Sequence, residues 1–209
     1  MAEQLVLLDV GNDQYFRLPH QMERALVAHL SGDSDGDISE LIERSILVAK
    51  EDASTQARPR AEPVARSAME APPSQQSTSV REILDVLAIV MTSRVELKFS
   101  ALKTILDSLT TTSHIRTALS GVPRELLEKQ VWDAAATFRQ ARLYVPVGMT
   151  CLLDAIAMTR FLRKRKLHSN LVFGVALDPF SAHCWVQTAD TVLNDTVGNV
   201  HAHTPIRVV

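Results

Sequence analysis

The sequence is poor in cysteine, in aromatic residues and in net charge, and these shortages exclude several classes of protein. Two cysteines in 209 residues are too few for the disulfide framework of a small secreted domain. A net charge of −2 and a pI of about 6.4 indicate neither a nucleic-acid nor a membrane-surface partner. The longest apolar stretches, such as ILDVLAIVM, are too short to span a bilayer. The first residues, MAEQLVLLDVGND, place no basic segment before an apolar one, so we expect no signal peptide and a cytoplasmic protein with reduced thiols.

The composition changes abruptly once along the chain. Apolar residues make up 46% of the whole, which is enough for a packed core. Residues 51–78, however, contain no Leu, Ile, Phe, Tyr or Trp and hold four of the nine prolines. Such a segment buries too little apolar surface to offset the entropy of ordering it. We therefore predict a disordered linker over 51–78, between a small domain at 1–50 and a larger one at 79–209.

The first domain has the pattern of a hairpin followed by short helices. The runs QLVLLDV and QYFRL flank GND, which is typical of a β-hairpin. Pro19 is expected to start a helix with one apolar face, and Asp37 with Glu40 is expected to cap a second one. This order is winged-helix-like, and the early strand offers a free sheet edge to which a peptide could add as a strand.

The second domain is predicted to contain helices followed by an antiparallel sheet, an α+β arrangement. Ser79 with Glu82 is a capping pair for the first helix, and Pro123 suits the first turn of another. A further helix follows Thr150 and runs to about Lys166. After it, apolar residues recur at every second position, which is typical of strands. We predict three strands there, the last two forming a tight hairpin: NLVFGVAL, AHCWVQT and TVLND.

The two cysteines differ in their predicted surroundings. Cys151 opens a helix, where unpaired N–H groups and the positive end of the dipole favour a thiolate. With a cation or histidine nearby, the pKa of such a thiol falls from about 8.5 to roughly 3.5–7.5. The alternative is a buried cysteine that acts as a small apolar side chain. Cys184 should point to the face of its strand opposite His183, so we expect it to fill the core.

A nucleophilic cysteine needs a base and a group that orients the base, and His183 is the candidate base. Which following residue shares its face depends on the hairpin loop. A two-residue loop, Ala189–Asp190, pairs 188 with 191 and puts Asn194 on the face of His183. A three-residue loop, Ala189 to Thr191, pairs 188 with 192 and puts Asp195 there instead. The loop sequence TADT has no glycine to decide between them.

Two other patterns are weaker candidates. His201 and His203 have a strand-like spacing that could suit a metal ion, but the sequence offers no further ligands near them. The basic run from Arg160 to Lys166 ends a helix, where cations are favoured. We interpret it as a solvated face, with docking of a partner as the alternative.

The residues from 150 to 195 resemble one enzyme family closely. A cysteine that opens a helix, followed by GVALDPFSAHCWVQT and VLND, is similar to the transglutaminase-like, papain-like cysteine peptidases that act as leader peptidases, or B proteins, in lasso peptide biosynthesis. Some members carry an N-terminal precursor-peptide recognition element with a winged-helix fold, which residues 1–50 resemble through LLDVGNDQYFRL. The resemblance implies Cys151 as nucleophile, His183 as base and Asp195 as orienting acid, and with them the three-residue loop. Gln187 departs from the family, which often has Glu there.

This resemblance implies a function in the maturation of a ribosomally made antibiotic. The expected partners are the leader of a lasso precursor peptide, which would be cleaved off, and an asparagine-synthetase-like cyclase that receives the core peptide and closes the macrolactam. No cofactor is expected, and the sequence has no P-loop. Two alternatives remain: a transglutaminase-type amide acyltransferase that uses the same triad, and a non-enzymatic adaptor that holds a peptide with residues 1–50.

Overall fold

The computed structural model describes residues 5–12, 14–32, 37–47, 60–70, 78–111 and 123–209. The chain divides into two compact units, residues 1–57 and 58–209. Each unit has its own cluster of buried apolar side chains. Among the described residues, no helix combines the length and the apolar character that crossing a bilayer would need.

The first unit contains a hairpin and two helices. Strands β1 (Leu7–Asp9) and β2 (Gln14–Phe16) are antiparallel. Helix α1 (His20–Leu30) begins directly after Pro19, as expected, and α2 (Ser39–Glu43) follows. The predicted capping box of α2 is wrong, because the cap position is Ile38 and Asp37 only accepts the N–H of Ser39. The core of this unit consists of Leu18, Met22, Leu26 and Leu41.

Four helices precede the sheet of the second unit, and all but the second of them begin where local signals place them. They are α3 (Val80–Phe99), α4 (Leu102–Thr111), α5 (Arg124–Arg142) and α6 (Cys151–Lys164). Ser79 and Glu82 form both bonds of a capping box at the start of α3, and Pro123 caps α5. Helix α6 is central, because it packs on α3 and α5 on one side and on the sheet on the other. Eight of its 14 residues are buried.

The sheet has five strands in the order β3-β6-β5-β4-β7. Three of them were predicted: β4 (Asn170–Leu177), β5 (Phe180–Thr188) and the short β6 (Thr191–Val192). Strand β7 (Thr204–Val208) joins the far edge antiparallel to β4, and the short helix α7 (Val197–His201) precedes it. The expected purely antiparallel sheet is wrong in one respect, since β3 (Arg66–Ser67) pairs with β6 in parallel.

Part of the predicted linker belongs to the second unit. Residues 60–70 lie along the sheet, with β3 in the ladder and Val64, Ser67 and Ala68 buried. Val64 packs in one core cluster with Trp185, so a few small side chains and backbone hydrogen bonds are enough to hold this segment. The interpretation of 60–70 as disordered is therefore wrong, whereas 51–59 and 71–77 lie outside the described residues.

The basic run at the end of α6 is not mainly a solvated face. Arg160 binds Ser93 and Glu96 of α3, and Arg163 donates to backbone carbonyls near the end of α4. Lys164 and Arg165 both pair with Asp85 of α3. These contacts fasten α6 to its neighbouring helices, and the long side chains explain how the cations can do so from the rim of the core.

Candidate active site

Cys151 is exposed at the first position of α6. Thr150 precedes it in an extended conformation and caps the helix without a side-chain hydrogen bond. The first intrahelical bond runs from the N–H of Asp154 to the carbonyl of Thr150. The amides of the first turn therefore have no helical acceptor and face the same end of α6 as the thiol.

The surroundings of Cys151 favour its thiolate. The pKa of the thiol falls well below its ordinary value, to about 4. A side-chain hydrogen bond from Cys184 is the first cause and one from His183 the second; burial opposes both. The backbone of Cys184 and the charge of His183 add smaller contributions. At neutral pH the group is therefore ionised and nucleophilic.

His183 lies between a thiol and a carboxylate. Its Nε2 is hydrogen-bonded to Asp195, which leaves Nδ1 as the ring nitrogen available to Cys151. The pKa of the imidazole rises from 6.5 to about 9, mainly through the bond to Asp195 and then the bond to Cys151, against burial. The ring stacks on Trp185 at a centroid distance of 6.2 Å. The structure thus brings Cys151, His183 and Asp195 together as a thiolate–imidazolium–carboxylate row.

Asp195 is held by hydrogen bonds to both carboxylate oxygens and to its backbone. Thr196 N–H donates to Oδ1 at 2.7 Å and Asn199 Nδ2 donates to Oδ2 at 2.8 Å. Ser67 Oγ donates to the carbonyl of Asp195 at 2.5 Å. Burial acts to raise the pKa of Asp195, but His183, Thr196 and Asn199 together lower it. The carboxylate is therefore fixed and ionised where it faces the imidazole.

The hairpin loop is not the three-residue loop that went with Asp195 as the orienting acid. Thr188 pairs with Thr191, so the loop is the two-residue Ala189–Asp190, and the three-residue alternative is wrong. Asp195 reaches His183 nevertheless, because β6 ends at Val192 and the chain bends over 193–195. Face alternation stops where the strand stops. Asn194 has a structural contact instead, accepting the N–H of Val186 at 2.7 Å.

Cys184 does not merely fill the core. It is buried, as expected, but both its side chain and its backbone bond to Cys151. A sulfur that accepts a strand N–H must lie beside the strand, in the plane of the sheet, and not over one face. Both neighbours on β5, His183 and Cys184, can therefore reach Cys151, so the prediction that alternation separates them is wrong. β6 pairs with β5 only at 187 and 188, which leaves this edge open.

Arg142 shapes the segment that leads into Cys151. It is 3% exposed, and its Nε binds Asp154 at 2.6 Å. Its two terminal nitrogens donate to the carbonyls of Val145, Val147 and Gly148. Burial raises the pKa of Asp154, the guanidinium opposing. One arginine thus ties the end of α5, the incoming segment and the first turn of α6 together.

Three residues of the site were not identified from the sequence: Ser67, Arg142 and Asn199. Ser67 lay in the segment taken for a linker, and Arg142 looked like an ordinary basic residue in the last turn of a helix. Asn199 lies three residues after Thr196, whose side chain accepts its N–H. A Thr-x-x-Asn turn just after the candidate acid was the available signal for it.

The two other histidine candidates bond to backbone carbonyls, and the ring of His203 lies beside that of His183, with 5.2 Å between the ring centroids. His201 donates from Nε2 to the carbonyl of Val64 at 2.8 Å. His203 donates from Nδ1 to the carbonyl of Asn199 at 2.8 Å and accepts from Ser181 at 3.0 Å. His201 is the last residue of α7 and His203 follows two residues later, so the prediction that both lie in one strand is wrong. Within the described ranges, no group of three or more His, Cys, Asp or Glu is arranged to hold a metal ion.

Chemically, this arrangement suits acyl transfer. A preformed thiolate can attack a carbonyl, and an adjacent imidazolium can protonate the leaving group. A fixed carboxylate keeps the imidazole oriented for both steps. The Cys151 thiol is exposed, so a carbonyl group can approach it.

Comparison with known proteins identifies a family and one partial relative. The Transglutaminase-like superfamily matches residues 94–208, a range that contains Cys151, His183 and Asp195. The chain is also 40% identical over 45 residues to the "Microcin J25-processing protein McjB" of Escherichia coli, an alignment that spans 22% of each chain. The chain thus matches about a fifth of the length of this curated relative. No solved structure matches it. Because the family covers more than half of the sequence, the chain belongs to the Transglutaminase-like superfamily.

Proposed function

We propose that this protein is a cysteine peptidase that removes the leader from a lasso peptide precursor. The observation that carries the proposal is the convergence of an exposed thiolate at Cys151 with His183 and Asp195. The partial similarity to a microcin J25-processing protein supports a ribosomally made precursor as the substrate.

The reaction proceeds in two acyl transfers. The Cys151 thiolate adds to the scissile carbonyl, and the negative charge moves to the carbonyl oxygen. The His183 imidazolium gives its proton to the leaving amine as the C–N bond breaks, which leaves a thioester on Cys151. Neutral His183 then removes a proton from water, and the hydroxide adds to the thioester and expels the Cys151 thiolate. The thiolate–imidazolium pair is thereby restored, and the acid that is released loses its proton to solvent. Asp195 stays ionised and holds the ring throughout.

In this proposal residues 1–50, which lie within the first unit, bind the leader as a winged-helix-like recognition element. It has a hairpin, two helices and its own core, which supports a separate module. A leader could add as a strand beside β1 or β2. Because the module and the peptidase act on one peptide, tethering raises the local concentration of the scissile bond. Deleting 1–50 should raise KM for a full precursor far more than for a short peptide that spans the cleavage site. Equal effects on both substrates would argue against tethering.

The released core peptide passes, in the same proposal, to an asparagine-synthetase-like cyclase. Hydrolysis leaves a free amine on the core, which is the group that macrolactam closure needs. A pull-down with the separately purified cyclase, in the presence and absence of precursor, tests this partnership directly.

The experiment that tests the proposed function uses a lasso precursor peptide that carries its leader. The native chain should yield leader and core fragments whose masses add to that of the precursor plus one water. The Cys151→Ala variant should yield neither fragment. When the native chain is treated with iodoacetamide, peptide mapping should find the label on Cys151 and not on the buried Cys184. Cleavage by Cys151→Ala at the native rate would overturn the assignment.

The family name favours one rival function, acyl transfer to an amine. The same thioester would then react with an amine instead of water, and the product would carry the mass of the amine less one water relative to the free acid. Adding a primary amine to the assay separates the two reactions. Leader binding without any thiol-dependent product would instead indicate an adaptor.

A further inference from the structure

The segment between Pro146 and Cys151 is held in an unusual way by a buried cation. Arg142 Nη2 donates to the carbonyls of Val147 and Gly148 at 3.0 and 3.2 Å, while its Nε binds Asp154 in the first turn of α6. Two consecutive carbonyls therefore point at the same buried guanidinium. The buried guanidinium of Arg142 thus fixes the conformation of this segment.

The direction of these carbonyls fixes the direction of the following amides. In a planar trans peptide, the N–H points opposite to the C=O, and the peptide bonds of this segment are trans. The N–H groups of Gly148 and Met149 therefore face away from the guanidinium. Both residues are exposed, and within the part of the chain described here neither amide donates to a protein acceptor. A Cβ at Gly148 would meet nothing within 4 Å, so the space on this side is open.

These two amides lie next to the nucleophile along the chain. Gly148 is three residues before Cys151, which limits their Cα separation to roughly 10 Å. Thr150 N–H, by contrast, is bonded to the carboxylate of Asp154. The amides left for a ligand at the exposed end of α6 are thus those of Gly148, Met149 and the first turn of the helix. Successive backbone N–H groups that are left without acceptors are the groups from which anion-binding concavities are made.

We propose that the N–H of Met149, supported by that of Gly148, donates with the N–H of Cys151 to the oxyanion of the tetrahedral intermediate, and that Arg142 is the positioning residue that aims them. This inference rests on the proposed acyl-transfer function. All the donors that it assigns are backbone N–H groups, so no side chain just before Cys151 is needed as a donor. Removing one such donor typically lowers kcat by about 10²–10³-fold.

The first test removes a single N–H from the full-length protein. Incorporating the α-hydroxy acid analogue of methionine at position 149 turns the Gly148–Met149 amide into an ester and leaves the side chain in place. Met149→Ala is the matched control, because it removes the side chain and keeps the N–H. The probe is p-nitrophenyl acetate, whose acetyl group is transferred to Cys151 with release of p-nitrophenolate. We expect the ester variant to lose about 10²–10³-fold in acylation rate, and Met149→Ala to lose less than about tenfold. Equal losses, or no loss in the ester variant, would overturn the inference.

The second test separates positioning from general structural support. Arg142→Lys keeps the charge beside Asp154 but cannot donate to several carbonyls at once. We expect its kcat to fall while the rate of Cys151 alkylation by iodoacetamide, which forms no oxyanion, stays near the native value. A parallel fall in both rates would show that Arg142 only maintains the nucleophile and would refute its part in aiming the amides.

The two proposals fail in distinguishable ways. A native protein that is acetylated at Cys151 but does not cut a lasso precursor refutes the proposed peptidase function and leaves the amide donors in place. A native protein that cuts the precursor, with an ester variant that cuts equally fast, refutes the amide donors and leaves the peptidase function in place.

Discussion

Replacing Asp195 by Asn should narrow the pH range in which the candidate site is active. The thiolate–imidazolium pair exists above the pKa of Cys151, about 4, and below the pKa of His183, about 9. The native kcat/KM should therefore show an acidic limb near pH 4 and an alkaline limb near pH 9. Asp195→Asn keeps the size of the side chain and the bond to Asn199 can persist, but the negative charge beside the imidazole is gone.

The size of the effect follows from the pKa of His183. A rise from 6.5 to about 9 corresponds to roughly 3 kcal/mol in favour of the imidazolium, at about 1.4 kcal/mol per pH unit. Asp195 is the first cause of this rise and Cys151 the second. Its loss should therefore move the alkaline limb down by about 1–2 pH units, towards the ordinary pKa of histidine. The acidic limb should move much less, because a side-chain hydrogen bond from Cys184 is the first cause of the low pKa of Cys151.

The assay follows the rate of Cys151 alkylation and kcat/KM on the same samples from pH 3 to pH 10. Asp190→Asn is the matched control, because Asp190 is an aspartate of the same hairpin that pairs with Arg66 and not with His183. The control should keep the native alkaline limb. If Asp195→Asn also keeps it, the carboxylate is not what raises the pKa of His183, and the argument for its orienting role fails.

Three further changes test how the fold supports this site. Gly174→Ala should lower the free energy of unfolding by about 1–3 kcal/mol and slow alkylation of Cys151, because a Cβ would lie 2.7 Å from the ring of Trp185. The free energies are measured by denaturant titration. Gly198→Ala is the control, because a Cβ at Gly198 would meet nothing within 4 Å. Ala189→Gly should stabilise the protein by roughly 1 kcal/mol, since Ala189 has a φ of 47°, and an unchanged or lower melting temperature would contradict this. Deleting residues 1–57 should leave a cooperative thermal transition, whereas deleting 1–78 should lower its midpoint, because the second deletion removes β3 and the buried Val64.

The elements that could be predicted are those with local signals. The capping box of Ser79 and Glu82, the start of α6 at Cys151 and the change from helical to strand period after it are all properties of neighbouring residues. The structure places each where the sequence indicates. Strand β7 was not predicted, because Thr204–Val208 contains a proline, which weakens a strand pattern, and its pairing with β4 is a distant contact.

The segment at 60–70 could not be predicted because its order comes from distant partners. Its composition is that of a linker, but Ala65 and Arg66 donate backbone N–H groups to Asp190, and Ala68 donates to Val192. A strand held by backbone bonds needs few apolar side chains of its own. Composition measures only the side chains, so it cannot detect an edge strand of this kind.

The loop Ala189–Asp190 shows why turn-sequence rules could not predict its length although the strands on either side of it were predicted. Glycine is the usual sign of a two-residue loop, but here Ala189 adopts the positive φ. The side chain of Gln187 compensates by donating to the Ala189 carbonyl at 2.6 Å. Gln187 is itself buried and accepts the indole N–H of Trp185. The loop is therefore set by a buried polar network that no dipeptide pattern contains.

The candidate site lies where regular pairing of the sheet ends. β6 pairs with β5 only at the last two residues of β5; just beyond them the Leu193 N–H still donates to the Val186 carbonyl, while the side chain of Asn194 accepts the N–H of Val186. Further along the same edge, Cys184 bonds to Cys151. The chain that leaves β6 returns Asp195 to His183. An open strand edge thus presents the hydrogen-bonding groups that a longer β6 would occupy. Extending the β5–β6 ladder by three residue pairs, as far as Cys184, would compete for the N–H groups of Val186 and Cys184, so the shortness of β6 is itself a requirement of the site.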